Sequence, residues 1–184
     1  NQSKSIIAVD TIQKKIVWQK ELNNTLIIGF RQLTSNDEAI FAYIPGQGLH
    51  VYSLSGELLS KIPAPTSLPK DSAGTYGAGP TLYQQTLYLP VGKLLFSYNI
   101  SNLKALTLLW VRELPSNEQV GSAFTALTVD EKGIIYTGIA QEGSFSIQAL
   151  DPANGQTIWT ANTSLNNSNN SGTPTALTVI GEKV

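Results

Sequence analysis

The sequence predicts an all-β chain of four-stranded antiparallel propeller blades, about four of them. Three observations carry that reading. Short β-rich runs follow one another at close spacing, broken by Gly, Asn, Asp and Pro. No stretch of eleven or more residues repeats its apolar positions at the three- and four-residue spacing of a capped helix. The chain also repeats itself with a period in the forties, and four strands per unit at that period is the mark of propeller blades.

The expected strands are residues 5–9, 15–20, 26–33, 39–44, 49–54, 86–90, 94–98, 106–114, 124–129, 133–139, 144–150 and 157–161. The repeat is clearest in their outer halves. Ala8-Val9-Asp10 is followed eight residues after the Asp by Trp18, and Ala149-Leu150-Asp151 by Trp159 at the same distance. Ser97-Tyr98-Asn99 leads to Trp110 through a turn longer by three residues. Val51-Tyr52-Ser53 passes through Leu54-Ser55-Gly56 to a fourth such strand, at 57–61, without a Trp. Setting Asp10, Ser53, Asn99 and Asp151 in register gives intervals of 43, 46 and 52 residues. The inner half repeats too, because Thr125-Ala126-Leu127-Thr128-Val129 recurs letter for letter at 175–179. The organisation read from this is a single propeller over 1–184, with blades at 1–22 (partial), 26–62, 74–115, 120–162 and 171–184 (partial).

Bulk properties restrict the functional classes. With 184 residues, 41% hydrophobic and 14% charged, the chain can bury a core. Twelve basic residues nearly balance thirteen acidic ones, which disfavours nucleic acid or an anionic membrane surface as partner. No run approaches the roughly 18 apolar residues of a membrane helix. Cysteine is absent, so disulfides, thiolate metal sites and cysteine nucleophiles are excluded in this chain. Methionine is absent as well, which marks the sequence as a processed or trimmed piece whose Asn1 and Val184 need not be natural ends.

The run Ala149-Leu150-Asp151-Pro152-Ala153-Asn154-Gly155-Gln156-Thr157-Ile158-Trp159 resembles the repeat of the pyrroloquinoline-quinone-like propeller family: a strand ends in Ala-x-Asp, turns through Gly and resumes with an aromatic. The unit at Asp10 matches apart from the Gly, and the units around Ser53 and Asn99 are degenerate. The resemblance implies that the Trp and the small residue near the Asp brace neighbouring blades. Trp18, Trp110 and Trp159 are thus expected as buried inter-blade wedges, and Asp10, Asn99 and Asp151 as caps of the following turns. The family usually builds seven- or eight-bladed rings. That favours part of a larger ring over a four-bladed ring strapped shut by the C-terminal strands, and an incomplete ring would offer edges for self-association.

Little in the sequence points to chemistry. His50 stands beside Gly48 without a second His, a Cys or a carboxylate at ligand spacing. Gly74, Gly77 and Gly79 with Pro80 form a glycine-rich loop, but no helix follows to hold a phosphate. Carboxylates sit in turns such as Asp130-Glu131-Lys132-Gly133. Quinoprotein dehydrogenases, which the resemblance brings into view, use acidic and amide calcium ligands, a Trp platform and often adjacent cysteines. The cysteines are missing and no calcium set aligns, so neither quinone nor calcium is expected. Scaffold members of the family, among them outer-membrane assembly lipoproteins, point instead to a protein or glycan partner at the loop faces.

Six Asn-x-Ser/Thr sequons occur, at Asn1, Asn23, Asn99, Asn162, Asn166 and Asn169. Composition alone predicts about two. Asn23, Asn99, Asn162, Asn166 and Asn169 are the candidate glycosylation sites, and the chain is expected to be extracytoplasmic: secreted, periplasmic or on the cell surface.

Overall fold

The computed structural model describes residues 4–22, 33–65, 79–114, 123–141, 144–163 and 176–179. The first sheet pairs β1 (Lys4–Asp10) with β2 (Lys15–Leu22). The second runs β3 (Leu33–Ser35), β4 (Ala39–Ile44), β5 (Gly48–Ser53) and β6 (Leu58–Ile62). The third runs β7 (Thr81–Tyr83), β8 (Thr86–Val91), β9 (Leu94–Asn99) and β10 (Thr107–Glu113). The fourth runs β11 (Ala123–Val129), β12 (Ile135–Gln141), β13 (Ser144–Leu150) and β14 (Thr157–Thr163). Every pairing is antiparallel and joins consecutive strands, so each sheet is a meander. Among the described residues there is no helix, and none therefore long and apolar enough to cross a membrane.

These are propeller blades stacked face to face. Ile6 and Leu22 of the first sheet meet Ala42, Ile44 and Tyr52 of the second. Phe41, Tyr43, Leu49 and Val51 of the second meet Leu87, Leu89, Val91 and Tyr98 of the third. Tyr88, Leu95 and Leu114 of the third meet Phe124, Ile135, Ile139 and Leu150 of the fourth. The middle strands of the second and third sheets lie between two neighbouring sheets and bury both faces. This is why Ala39–Ile44 and Thr86–Val91 read as almost unbroken apolar runs with no alternation. The inner strands β3, β7 and β11 stand side by side, and the outer strands carry the exposed residues.

The structure adds β7, a strand of three residues that the sequence does not announce. Its brevity also explains Pro90 inside β8: β7 pairs only with Thr86, Leu87 and Tyr88, so Pro90 has no strand on that side that needs its missing N–H. The strand expected at 26–33 lies outside the described residues except for Leu33, which opens β3.

Each turn between the two outer strands is capped by its own polar residue. Asp10 Oδ1 accepts from the N–H groups of Ile12 and Gln13, both at 2.8 Å, and Asp151 Oδ1 from that of Ala153 at 2.8 Å. Asn99 Oδ1 accepts from Ser101 N–H at 2.9 Å, and Ser53 Oγ from Glu57 N–H at 3.0 Å. Loss of such a cap leaves a turn donor unsatisfied. Asp151→Ala is therefore expected to destabilise the protein by about 1 kcal/mol, seen as a lower urea midpoint with an unchanged slope; an unchanged midpoint would show that the turn holds itself.

Candidate functional site

The four outer hairpins share one irregularity. Ala8 opposes Trp18 and the next pair is Val9 with Ile16, so Val17 bulges out. Ser97 opposes Trp110 with Leu109 bulged, Ala149 opposes Trp159 with Ile158 bulged, and Val51 opposes Ser60 with Leu59 bulged. A bulge re-aims the side chain beside it. Here it presents the outer-strand aromatic to the next blade.

Two of the three indoles use that aim. Trp18 donates from Nε1 to the carbonyl of Leu54 at 2.8 Å and lies over Gly56, where a Cβ would come within 2.8 Å of its ring. Trp110 donates to the carbonyl of Pro152 at 2.9 Å and lies over Gly155, where a Cβ would also come within 2.8 Å. Both glycines have positive φ, 84° and 72°, so the turn needs Gly for its backbone as well as for the space. Each acceptor carbonyl belongs to the residue just after the cap. The Trp of one blade thus reads the turn of the next.

Trp159 differs from the expectation of a buried wedge, since it is 41% exposed and its ring lies 5.9 Å from that of Tyr136 of its own blade. Ser60 holds the Trp position of the second blade, and the turn it faces, from Asn99 onward, has no Gly. Leu103 and Leu106 of that longer turn pack into the seam instead. A further bridge escaped the sequence reading: half-buried Arg112 donates from Nη1 to the carbonyl of Gly155 at 2.8 Å and from Nη2 to Gln148 Oε1 at 2.7 Å. Burial holds its guanidinium below its ordinary pKa. Only its place two residues beyond Trp110 could have drawn attention to it.

The inner turns form a second row. Tyr83 donates its hydroxyl to the carbonyl of Glu131 at 2.8 Å, and its ring lies against Gly133. Asp130 caps its own turn through Lys132 N–H and Ile134 N–H, at 2.9 and 2.8 Å, and takes the Tyr136 hydroxyl at 3.1 Å on its other oxygen. Beyond them a cleft of ≈ 310 Å³ opens between Thr128, Val129, Asp130 and Glu131 on one side and Leu177, Thr178 and Val179 on the other. Its lining is both apolar and acidic.

His50 lies 7% exposed at the interface of the first two blades, its Nδ1 3.0 Å from the Tyr52 hydroxyl and its Nε2 without a partner. Burial, with Lys61 second, holds its pKa below the usual value. Tyr43 of the same sheet, buried with its hydroxyl unpartnered, is pushed up to about 12. Among the described residues no three of His, Asp and Glu come together to hold a metal. Two of the three indoles, Trp18 and Trp110, lie over glycines, and the third, Trp159, is 41% exposed.

Of the sequon residues, Asn99 is a turn cap whose Oδ1 also takes the Ser101 hydroxyl, at 2.5 Å, whereas Asn162 stands exposed on β14. Asn1, Asn23, Asn166 and Asn169 lie outside the described residues, as does most of the 74–80 loop.

Because His50 has a lowered folded-state pKa, its contribution is fully present above about pH 6.5 and is lost as pH falls through that value toward the folded pKa. The urea midpoint is expected to fall between pH 7.5 and pH 5, and the fall to shrink in His50→Gln. An equal fall in both proteins would remove His50 from the account.

No family model and no curated protein matches the sequence. Solved structures do match the fold. A europium-containing methanol dehydrogenase superposes with a TM-score of 0.65 at 15% identity, over 85% of this chain and 38% of its own. BamB from Moraxella catarrhalis gives 0.59 at 16%, over 87% and 51%. Quinohemoprotein alcohol dehydrogenase from Comamonas testosteroni gives 0.57 at 13%, over 71% and 20%. The chain thus spans between a fifth and about half of these structures. It has the fold of the quinoprotein-type β-propellers, of which its described residues make three four-stranded blades and the outer pair of another.

Proposed function

We propose that the chain is part of a non-catalytic, extracytoplasmic propeller that binds a protein or glycan through its loop faces and holds neither quinone nor calcium. The allocation of its polar side chains supports this most. The Asp and Asn residues that end the strands cap turns, Arg112 and two indoles join blades, and a cleft with apolar and acidic lining opens beside Asp130 and Glu131. No acid and base converge there on a reacting atom. The sequons support the location.

A second reading, a fragment of a quinone-dependent dehydrogenase, is favoured by the likeness to three dehydrogenases among the matched structures. Equilibrium dialysis of the natural-length protein against pyrroloquinoline quinone with Ca²⁺ separates the two. No saturable binding is expected, and stoichiometric uptake would establish the second reading. In parallel, a panel of glycans and peptides is expected to yield a ligand whose affinity falls at least about tenfold in Glu131→Lys, with an unchanged urea midpoint. A ligand indifferent to that change would move the binding surface elsewhere.

Glycan occupancy follows the geometry. Expressed through a eukaryotic secretory pathway, the chain is expected to carry a glycan at exposed Asn162 and none at Asn99, as read by peptide mass before and after glycosidase. The reverse pattern would contradict the turn geometry at Asn99.

A further inference from the structure

The sequence holds one Asn-Gly step, Asn154–Gly155, and it lies in the turn on which Trp110 sits. Such a step carries a chemistry of its own. Glycine has no side chain to hinder its backbone nitrogen, which can lose its proton and attack the Cγ of the asparagine before it. The Cγ–Nδ2 bond then breaks, ammonia leaves and a succinimide ring remains. Water opens that ring at either carbonyl to give aspartate or isoaspartate. Asparagine and water are consumed, an acid and ammonia are formed, and no other reactant is needed.

In the folded protein each participant is engaged elsewhere. Gly155 N–H donates to the carbonyl of Asp151 at 2.8 Å, Asn154 Oδ1 accepts from Gln156 N–H at 2.8 Å, and Asn154 Nδ2 donates to Asp151 Oδ2 at 3.4 Å. The third blade locks this arrangement from across the seam. Trp110 donates to the Pro152 carbonyl and covers Gly155, and Arg112 donates to the Gly155 carbonyl. Asn154 is exposed and Gly155 buried, so water has access and the missing condition is freedom of the turn. Attack on Cγ requires Gly155 N to leave the Asp151 carbonyl, which is a local opening of the seam.

The products undo the lock. Isoaspartate inserts a methylene into the main chain just before Gly155, at a place where one added carbon already meets the indole at 2.8 Å. Either acid also replaces the Nδ2 donor with a carboxylate oxygen beside Asp151 Oδ2, where like charges repel.

We propose that Asn154–Gly155 is a spontaneous deamidation site gated by the seam between the third and fourth blades. Docked Trp110 and Arg112 hold it unreacted, and each opening exposes it to an irreversible conversion that weakens the same seam. This is independent of what the propeller binds.

The test is the rate of aspartate and isoaspartate formation at Asn154, read by peptide mass spectrometry during incubation of the natural-length protein at neutral pH. Conversion is expected to be at least about tenfold slower in the folded protein than in urea. Trp110→Phe, which loses the N–H donor, and Arg112→Gln, which keeps the indole, are each expected to speed it severalfold in the folded state. Trp18→Phe, at the other docked indole, is expected to leave it unchanged. Asn154→Asp, the aspartate product, is expected to speed hydrogen exchange at the Trp110 indole. Equal rates in folded and unfolded protein, or no conversion even in urea, would overturn the proposal. So would seam variants that convert no faster than the parent, or a Trp18→Phe protein that converts as fast as they do, since the reaction would then pass through global unfolding. Unchanged Trp110 exchange in Asn154→Asp would overturn the weakening of the seam.

Discussion

The contact on which the remaining structure depends is an indole ring laid flat on backbone that has no side chain. A propeller blade has two broad apolar faces and can bury them only against other blades, which fixes that blades stack but leaves their angle and offset open. A planar ring over a glycine, tied by one N–H to one carbonyl, settles both at the outer rim, where apolar packing is weakest. Trp18 on Gly56 and Trp110 on Gly155 are two instances of that one arrangement. The bulge before each Trp and the small residue opposite it, Ala8 or Ser97, are the local conditions that let the ring reach its place.

Seams without an indole use other means. Between the second and third blades the longer turn after Asn99 delivers Leu103 and Leu106, and Ser60 stands where the ring would be. Between the third and fourth, Arg112 adds two hydrogen bonds to what Trp110 supplies, binding the same glycine's carbonyl from the side. The blades therefore differ in how tightly each is coupled to the next. In an architecture of nearest-neighbour contacts those differences set which blades unfold together.

How much of this the sequence shows depends on whether a partner lies within the repeat or beyond it. Strand-ending caps and hairpins act within about ten residues, so Asp10, Asn99 and Asp151 could be read directly from turn chemistry. The continuous apolar runs of β4 and β8 match strands covered on both sides. The pairing of Trp18 with Gly56 was not legible, because the two belong to different repeats 38 residues apart and neither alone names the other. Trp159 was expected to be buried by analogy with its repeat, and it is 41% exposed. β7 was missed since three residues carry no period, and Arg112 because one basic residue in an outer strand looks like any solvated one.

The ring-on-glycine contact also constrains the order in which this chain can change. While Trp18 is present, any residue other than glycine at position 56 meets the ring, so that substitution is open only after the indole has gone. Where a serine stands in the Trp position, as Ser60 does, the facing turn after Asn99 is longer and carries bulky side chains, Leu103 and Leu106, into the seam. Restoring the indole would then require the turn to shorten and regain glycine first. A seam of this kind therefore ties the residue choice on one blade to the turn of the next.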